Sequence, residues 1–178
     1  MSDLPQQDVS RELAARLARG DEAAFAELYD ACADHLYGYL AARLGSRDAA
    51  SDVVQNVFLR AVKSRRRFRK VESPVAYMFE IARNEAARMA TKRRDFADVL
   101  PATETYATAN EATDDAEVVA AALQRLDADA RELVELKIYA GLTFREIADV
   151  VGRPPATVAT QYRRALASLR EWLARQYR

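Results

Sequence analysis

The sequence is poor in the residues that build disulfides, metal sites and tight turns. Among its 178 residues, Cys32 is the only cysteine and His35 the only histidine, which excludes a disulfide or a four-ligand zinc site within one chain. Five glycines and five prolines are few for an all-β protein, which needs many turns. Because Ala, Leu, Arg and Glu are plentiful, we expect an all-α chain, and the single cysteine fits a reducing compartment.

Long hydrophobic runs and a targeting segment are also missing. No apolar run approaches the roughly 20 residues that are needed to span a bilayer. The N-terminal stretch from Ser2 to Asp8 is polar, unlike the apolar centre of a signal peptide. We therefore expect a soluble, cytoplasmic protein without membrane insertion.

The chain also has few of the parts that catalysis requires. It has no Gly-rich phosphate loop, and its acidic side chains are scattered along solvated helices. Cys32 and His35 are three residues apart and could touch one metal ion, but such a cysteine is more often a core residue. The sequence therefore predicts a protein that works by binding, with no enzyme activity, no cofactor and no metal site.

Net charge is zero, yet the charges are unevenly distributed. Residues 1–94 carry 17 Lys and Arg against 13 Asp and Glu, and residues 130–178 carry 9 against 5. Between them, residues 95–129 carry 1 basic residue against 9 acidic ones. Two basic blocks therefore flank an acidic connector, and nucleic-acid binding has to be judged from this distribution because the net charge is zero.

Apolar residues recur at helical spacing along most of the chain. A helical hairpin from Val9 to Leu44, broken at Gly20-Asp21, precedes a third helix from Ser46 to Arg65. Ser73-Pro74 begins a fourth, because serine caps helices and proline suits their first turn. After a flexible acidic linker, four more helices are predicted at Val118–Leu126, Ala130–Tyr139, Thr143–Val151 and Pro155–Arg175.

The sharpest pattern is a helix-turn-helix from Phe144 to Arg170. Ala148 is small where two helices cross, Gly152 can adopt the left-handed conformation that ends the first helix, and Val158 fills the angle between them. Thr143 and the glutamate three residues later form a capping box. These spacings favour a DNA-binding motif over the alternative, a structural hairpin that touches no DNA.

The second helix of this motif leaves a polar and basic outer face for the major groove. Thr160 and Gln161 could reach base edges, while Arg153, Arg163 and Arg164 suit phosphates. The candidate upstream DNA contacts are Arg153, Thr157, Thr160, Gln161, Arg163 and Arg164.

A second candidate DNA site is the basic run from Lys63 to Lys70, followed by aromatic and polar residues. Arginines neutralise phosphates, and aromatic rings among them can stack on unpaired bases. Tyr77 and Phe79 are two apart on a helix, so we expect one of them in the core. A solvated basic loop beside core aromatics is the alternative. The candidate contacts are Arg66, Arg67, Phe68, Arg69, Lys70, Tyr77, Arg83, Asn84 and Arg88.

Several separate motifs in this order resemble the extracytoplasmic-function (ECF) sigma factors, the two-domain class of bacterial RNA polymerase sigma subunits. The matching stretches are Gly20–Tyr29, Ala50–Ala61, Ile81–Asn84, Leu142–Ala148 and Thr157-Val158.

This resemblance implies an N-terminal extension or helix at residues 1–19 and a sigma region 2-like four-helix domain at 20–94. The latter would bind the polymerase clamp and melt the promoter near minus ten. Residues 95–116 would be the linker. Residues 117–178 would form a region 4-like helix-turn-helix domain that reads the minus-thirty-five element and touches the polymerase flap. The resemblance also implies promoter-specific initiation in a stress or envelope response, and an anti-sigma partner.

On the third helix, the resemblance implies that Asp52 and Gln55 face the polymerase clamp. Asp52, Gln55 and Asn56 share one face at helical spacing. We expect the opposite side to turn inward with Val54, Phe58 and Leu59. Other members of this family usually have acidic residues at Ser51 and Asn56, so the charge of this face is reduced here.

Two other functions are consistent with the same motifs. A stand-alone transcription regulator would use residues 1–94 as a sensor or dimerisation module and would bind a palindromic site by itself. An interaction adaptor would use both domains as docking surfaces without touching DNA.

Overall fold

The computed structural model describes residues 4–97 and 114–176, and throughout these ranges the regular secondary structure is helical. The chain divides into two compact units, residues 1–106 and residues 107–178. We call them the N-terminal and C-terminal units. The prediction of an all-α fold is confirmed. Of the predicted linker, 98–113 lie outside the described residues.

The described part of the N-terminal unit, residues 4–97, is built from four α-helices and one 3₁₀ helix. Polar residues begin three of them: the side chains of Asp21, Ser46 and Ser73 accept hydrogen bonds from backbone N–H groups three residues later, satisfying donors that a helix start leaves unpaired. Gly45, at φ 63°, ends the second helix. The helices are α1 Leu4–Arg19, α2 Glu22–Leu44, α3 Arg47–Lys63, the 3₁₀ helix Arg65–Lys70 and α4 Pro74–Ala97.

Helix α3 is rotated relative to the sequence prediction. Its buried side consists of Ala49, Ala50, Val53, Val54, Val57 and Ala61. Leu59, which was predicted to turn inward, is 57% exposed, and Val62 is 44% exposed. Successive residues of a helix differ by about 100° in direction, so neighbouring positions face different sides. The side of α3 that meets α2 and α4 has small alanines, which allow close helix contact, whereas Leu59 lies on the other side.

Helix α1 packs against the 3₁₀ helix and α2. Leu17 is fully buried, and Arg16 donates hydrogen bonds to Asp21 and Glu27 on the neighbouring turn. The hydrogen bond from Arg16, followed by that from the backbone N–H of Ala24, lowers the pKa of the Asp21 carboxyl. The segment predicted as an N-terminal extension therefore contributes to the core of the unit.

Within residues 114–176, the C-terminal unit has four helices around a small core. Leu126, Val134 and Ala165 are buried together. Arg131 donates to the backbone carbonyls of Leu123, Gln124 and Leu126, so its guanidinium pairs the carbonyls that the end of the first helix leaves free. The helices are α5 Asp114–Gln124, α6 Ala128–Tyr139, α7 Phe144–Val151 and α8 Pro155–Gln176.

The predicted helix-turn-helix is formed by α7 and α8. Thr143 and Glu146 make both hydrogen bonds of the capping box, and Gly152 ends α7 at φ 68°. Ala148 and Val158 are buried at the crossing of the helices. Each of these local predictions is confirmed, and the packing leaves one long face of α8 exposed.

Candidate nucleic-acid and polymerase interfaces

The basic 3₁₀ helix is held in place by one aromatic ring. Phe68 is fully buried, where it meets Phe25 at 6.1 Å and Tyr77 at 5.2 Å between ring centroids, both edge to face. The prediction that Phe68 stacks on DNA bases is therefore wrong. Because Phe68 points inward, the tight turn directs the flanking Arg66, Arg69 and Lys70 into solvent.

Beside this basic turn lies an open pocket of about 300 Å³. Tyr77 forms one wall: it is only 5% exposed, and its hydroxyl lies 3.2 Å from Oγ of Ser64. The Arg67 guanidinium lies 5.9 Å from the Tyr77 ring centroid. The pocket thus combines an aromatic wall with a cationic rim. Its lining residues are Arg60, Lys63, Ser64, Arg67, Tyr77, Glu80, Ile81 and Asn84.

A buried carboxylate, that of Glu85, forms ion pairs with arginines at and beside the pocket. Glu85 on α4 is 3% exposed and forms ion pairs with Arg60 on α3 at 2.7 Å and with Arg88 at 3.1 Å. A buried carboxylate destabilises the fold unless it is paired with a cation. Arg60 and Arg88 are therefore retained as the ion-pair partners of Glu85. Arg88, predicted as a DNA contact, therefore has an intramolecular partner, and Arg60 joins the pocket rim although no sequence pattern indicated it.

The remaining predicted contacts of this unit divide between surface and core. Asn84 is exposed at the pocket, and Arg83 is half-buried on α4. Phe79 is fully buried and packs edge to face on Tyr39 at 5.6 Å. Tyr77 and Phe79 do point in different directions, but both are buried, because α4 contacts α1, α2 and α3.

The exposed face of α3 has both polar and apolar groups. Asp52, Gln55 and Asn56 are exposed, as predicted, and Leu59 and Val62 continue the same face. On neighbouring α2, Tyr29 is 52% exposed and lies 4.9 Å from the ring of Phe58. Exposed apolar groups among polar ones are typical of protein-binding surfaces. We call Asp52, Gln55, Asn56, Leu59 and Val62 the α3 face.

In the C-terminal unit, the predicted DNA contacts lie on or beside α8. Thr157, Thr160, Arg163 and Arg164 are exposed. Nε of Arg163 and the hydroxyl of Thr160 each donate to the backbone carbonyl four residues earlier. Both side chains therefore lie along the outer face of the helix, where a duplex would meet them.

Arg153 and Gln161 are joined to each other. Nη1 of Arg153 donates to Oε1 of Gln161 at 3.2 Å, and Nη2 of Arg153 pairs with the Asp129 carboxylate on α6. Arg153 was predicted as a phosphate contact, but its guanidinium instead connects α6 to α8. The sequence could not show this connection, because Asp129 and Arg153 are 24 positions apart.

Cys32 belongs to the core. It is fully buried, its Sγ donates to the Leu28 carbonyl at 3.0 Å, and burial raises the pKa of its thiol to about 12. His35 is exposed on the same helix. Among residues whose side chains are described, no group of three or more His, Cys, Asp or Glu is placed to hold a metal ion. Neither described range includes a helix long and apolar enough to cross a membrane.

Comparison with known families shows a match in each unit. Residues 28–96 match the family Sigma-70 region 2, and residues 116–169 match the family Sigma-70, region 4. The first match covers the basic turn, the pocket and the α3 face, and the second covers the helix-turn-helix.

Two relatives are similar over almost their full length. RNA polymerase sigma factor CarQ of Myxococcus xanthus is 32% identical over 89% of this chain and 94% of its own. ECF RNA polymerase sigma factor SigK of Mycobacterium bovis is 29% identical over 89% of this chain and 90% of its own.

Two solved structures share the fold. CnrH, solved in complex with the cytosolic domain of CnrY, superposes with a TM-score of 0.68 and 26% identity over 93% of this chain and 97% of that one. The Bartonella quintana sigma factor RpoE, solved with the anti-sigma factor NepR, gives a TM-score of 0.62 and 26% identity over 78% and 89% of the two chains.

Proposed function

The chain belongs to the ECF sigma factors of RNA polymerase, and from this premise we propose how its two units divide the work of promoter recognition. As a sigma factor, it binds core RNA polymerase and promoter DNA and directs promoter-specific initiation of transcription. It acts through binding surfaces, in the cytoplasm where the polymerase works, and a stress or envelope signal is the predicted inducer.

The N-terminal unit opens the promoter near minus ten. The observation that carries this proposal is the pocket beside the basic turn, which has an aromatic wall at Tyr77 and a cationic rim at Arg60 and Arg67. A base that leaves the duplex needs a surface on which to stack, and its phosphates need cations. The pocket offers such a base a recess of about 300 Å³, while the exposed Arg66, Arg69 and Lys70 lie along the strand.

The α3 face is the docking surface for the polymerase clamp. Its polar residues Asp52, Gln55 and Asn56 supply hydrogen bonds and one negative charge, while Leu59 and Val62 supply apolar area that is otherwise exposed to water. Because the acidic content of this face is low, burial of these two side chains contributes more of the affinity than charge does. Binding to core polymerase should therefore depend only weakly on salt.

The C-terminal unit holds the minus-thirty-five element. The exposed face of α8, with Thr157, Thr160, Arg163 and Arg164, lies in the major groove or along its phosphates. The two residues joined at the start of this helix, Arg153 and Gln161, complete the surface. With so few base-reading groups, this unit needs the polymerase and the N-terminal unit to hold a promoter.

An anti-sigma factor is the proposed regulator. CnrH was solved with the cytosolic domain of CnrY, and RpoE with NepR, and both resemble this chain along most of its length. Such a partner would inhibit by covering the α3 face and thus competing with the polymerase clamp. A competition assay would test this. A purified partner should compete with core polymerase for the wild-type chain, and this competition should be lost in Leu59→Ser.

Run-off transcription provides the direct test of the function. Core polymerase alone, the protein alone and the two together are compared on promoters that the holoenzyme selects from genomic DNA. We expect specific transcripts only from the mixture. Specific DNA binding by the protein alone at a palindromic site, without initiation by the mixture, would overturn the proposal in favour of a stand-alone regulator.

Two variants assign the surfaces within that assay. Arg66→Ala with Arg69→Ala should reduce transcription from duplex promoters about tenfold or more, while a template already unpaired at minus ten loses less, because its strands need no separation. Leu59→Ser should weaken binding to core polymerase and lower activity equally on both templates. Arg47→Ala, an exposed cation on α3 outside the α3 face, is the matched control.

A further inference from the structure

The strongest unassigned feature is the three-residue chain of Asp129, Arg153 and Gln161 at the start of the recognition helix. Arg153 lies in the turn between α7 and α8, and its two terminal nitrogens point to different partners. Nη2 binds the Asp129 carboxylate, and Nη1 binds the side-chain amide of Gln161. One planar guanidinium therefore fixes the orientation of a residue on α8 from a carboxylate on α6.

This contact decides which part of the Gln161 amide remains available. A guanidinium has five N–H donors and no acceptor, so the amide atom that meets Arg153 must be the oxygen, Oε1. The two N–H donors of Nε2 are then left for other partners. Gln161 is half-buried, which limits its freedom to rotate away.

A glutamine side chain whose amide has no other hydrogen-bond partner usually recognises adenine. It donates to N7 and accepts from the N6 amino group, which requires both halves of the amide. Arg153 occupies one lone pair of Oε1 and places a positive charge beside it, so this oxygen is a poor acceptor for the N6 amino group of adenine, whereas donation from Nε2 is unaffected. Guanine presents two adjacent acceptors, N7 and O6, in the major groove, whereas cytosine presents a donor there.

We propose that Arg153, held by Asp129, is a positioning residue that presents Gln161 to the major groove through its Nε2 donors, so that it selects guanine rather than adenine at one base pair of the upstream element. This inference rests on the proposed role of the C-terminal unit in reading that element. It gives Arg153 a role other than the predicted phosphate contact, because the bonds to Asp129 and Gln161 hold its guanidinium in place.

The test uses holoenzyme, assembled from the full chain and core polymerase, and duplex promoters with a randomised upstream element. Bound sequences are recovered and counted, so that affinity and base preference are separated at each base pair. For the wild type, one base pair should favour guanine. Gln161→Ala should remove the preference at that base pair alone.

Three variants then address Arg153. Arg153→Ala frees Oε1, so adenine should gain on guanine at the same base pair by on the order of tenfold, the size of one bidentate contact. Arg153→Lys keeps the positive charge but offers one ammonium in place of the fork, and should show the same gain of adenine. Asp129→Asn should show a smaller gain. Arg163→Ala, the control, should weaken binding to all sequences alike.

Two results would overturn the inference. In the first, Arg153→Ala weakens every sequence equally while Arg153→Lys behaves as wild type, which is the behaviour of a phosphate contact. In the second, Gln161→Ala leaves every base preference intact. A wild-type holoenzyme with no preference anywhere in the upstream element would instead contradict the proposed function of the C-terminal unit. Circular dichroism melting of each variant separates these outcomes from loss of folding.

Discussion

The two units hold the cations proposed to contact DNA by different means. In the N-terminal unit, the cations stand on a turn that a buried aromatic ring, Phe68, anchors in the core, and a buried carboxylate, Glu85, holds Arg60. In the C-terminal unit, the contacts lie on a regular helix, and the Arg153–Gln161 bond is a side-chain bond near the surface. The position of the cations in the N-terminal unit should be lost when the core is changed. The position of Gln161 in the C-terminal unit should be lost when a surface hydrogen bond is removed.

The chain carries a separate reporter for each unit. Cys32 is the only cysteine and lies in the N-terminal unit, and Trp172 is the only tryptophan and lies on α8. Because Cys32 is fully buried, a thiol reagent modifies it only when the N-terminal unit opens. Tryptophan fluorescence follows the C-terminal unit. The stability of the two units can therefore be measured in one sample.

The largest expected effect comes from Phe68→Ala. Removing a fully buried phenyl ring costs about 3–5 kcal/mol, and it also frees the basic turn. Cys32 labelling should become faster by orders of magnitude, while the Trp172 denaturation curve stays unchanged. Unfolding of both units together at the same denaturant concentration would contradict their independence. Phe68→Leu, which restores apolar volume, is the control and should recover most of the stability.

Next is Ala148→Leu, the matched change in the other unit. Ala148 is 3% exposed where α7 crosses α8, so a larger side chain forces the helices apart at a cost of about 1–3 kcal/mol. The Trp172 transition should shift and recognition of the upstream element should be lost, while Cys32 stays protected. Ala167→Leu, on the exposed side of α8, should leave all three measurements unchanged.

A smaller effect depends on pH and concerns only the N-terminal unit. Burial raises the pKa of the Cys32 thiol from the ordinary value of 9.0 to about 12. The unfolded chain thus loses this proton first, and the stability that is present below the unfolded pKa falls by up to about 1.4 kcal/mol per pH unit as the pH rises towards the folded pKa.

The measurement compares the free energy of unfolding of wild type and Cys32→Ala at pH 8 and pH 10. Other alkaline titrations cancel in the difference, so the variant should show the shallower decline. Equal declines would mean that the thiol titrates alike in both states.

The smallest effect compares two glycines that end helices, one in each unit. Gly45 and Gly152 have φ of 63° and 68°, and an added Cβ would meet nothing within 4 Å of either. Alanine therefore costs only the strain of the left-handed conformation, about 1 kcal/mol at each site. We expect equal losses of stability and, because neither turn has to move, promoter recognition close to that of the wild type in both variants. Unequal losses of stability would show that one of the two turns changes its backbone conformation to relieve the strain.

Local chemistry in the sequence was sufficient for the helices and for the helix-turn-helix. The caps at Asp21, Ser73 and Thr143 and the glycine at 152 each act within four residues of their own backbone. Side-chain orientation was harder to predict where it depends on distant elements. Leu59 is exposed because alanines of α3 meet α2 and α4, a choice that its own periodicity leaves open.

The site residues divide in the same way. A 3₁₀ helix has three residues per turn, so the α-helical period gave no indication that Phe68 alone would point inward from the basic run. The partners of Arg60, Arg88 and Arg153 are buried or distant in sequence, and a pattern of charge cannot show them. Exposure of Asp52, Thr160 and Arg164 was predicted correctly, because it follows from helical phase alone.

Asp129 introduces an evolutionary consequence. It lies on α6, outside the helix-turn-helix, and reaches the recognition helix only through Arg153. A substitution at this position could change which promoters are favoured while every residue that faces the groove is retained. Paralogues that descend from one gene could thereby acquire separate regulons without changing the recognition helix. Alignments restricted to that helix would assign them the same targets.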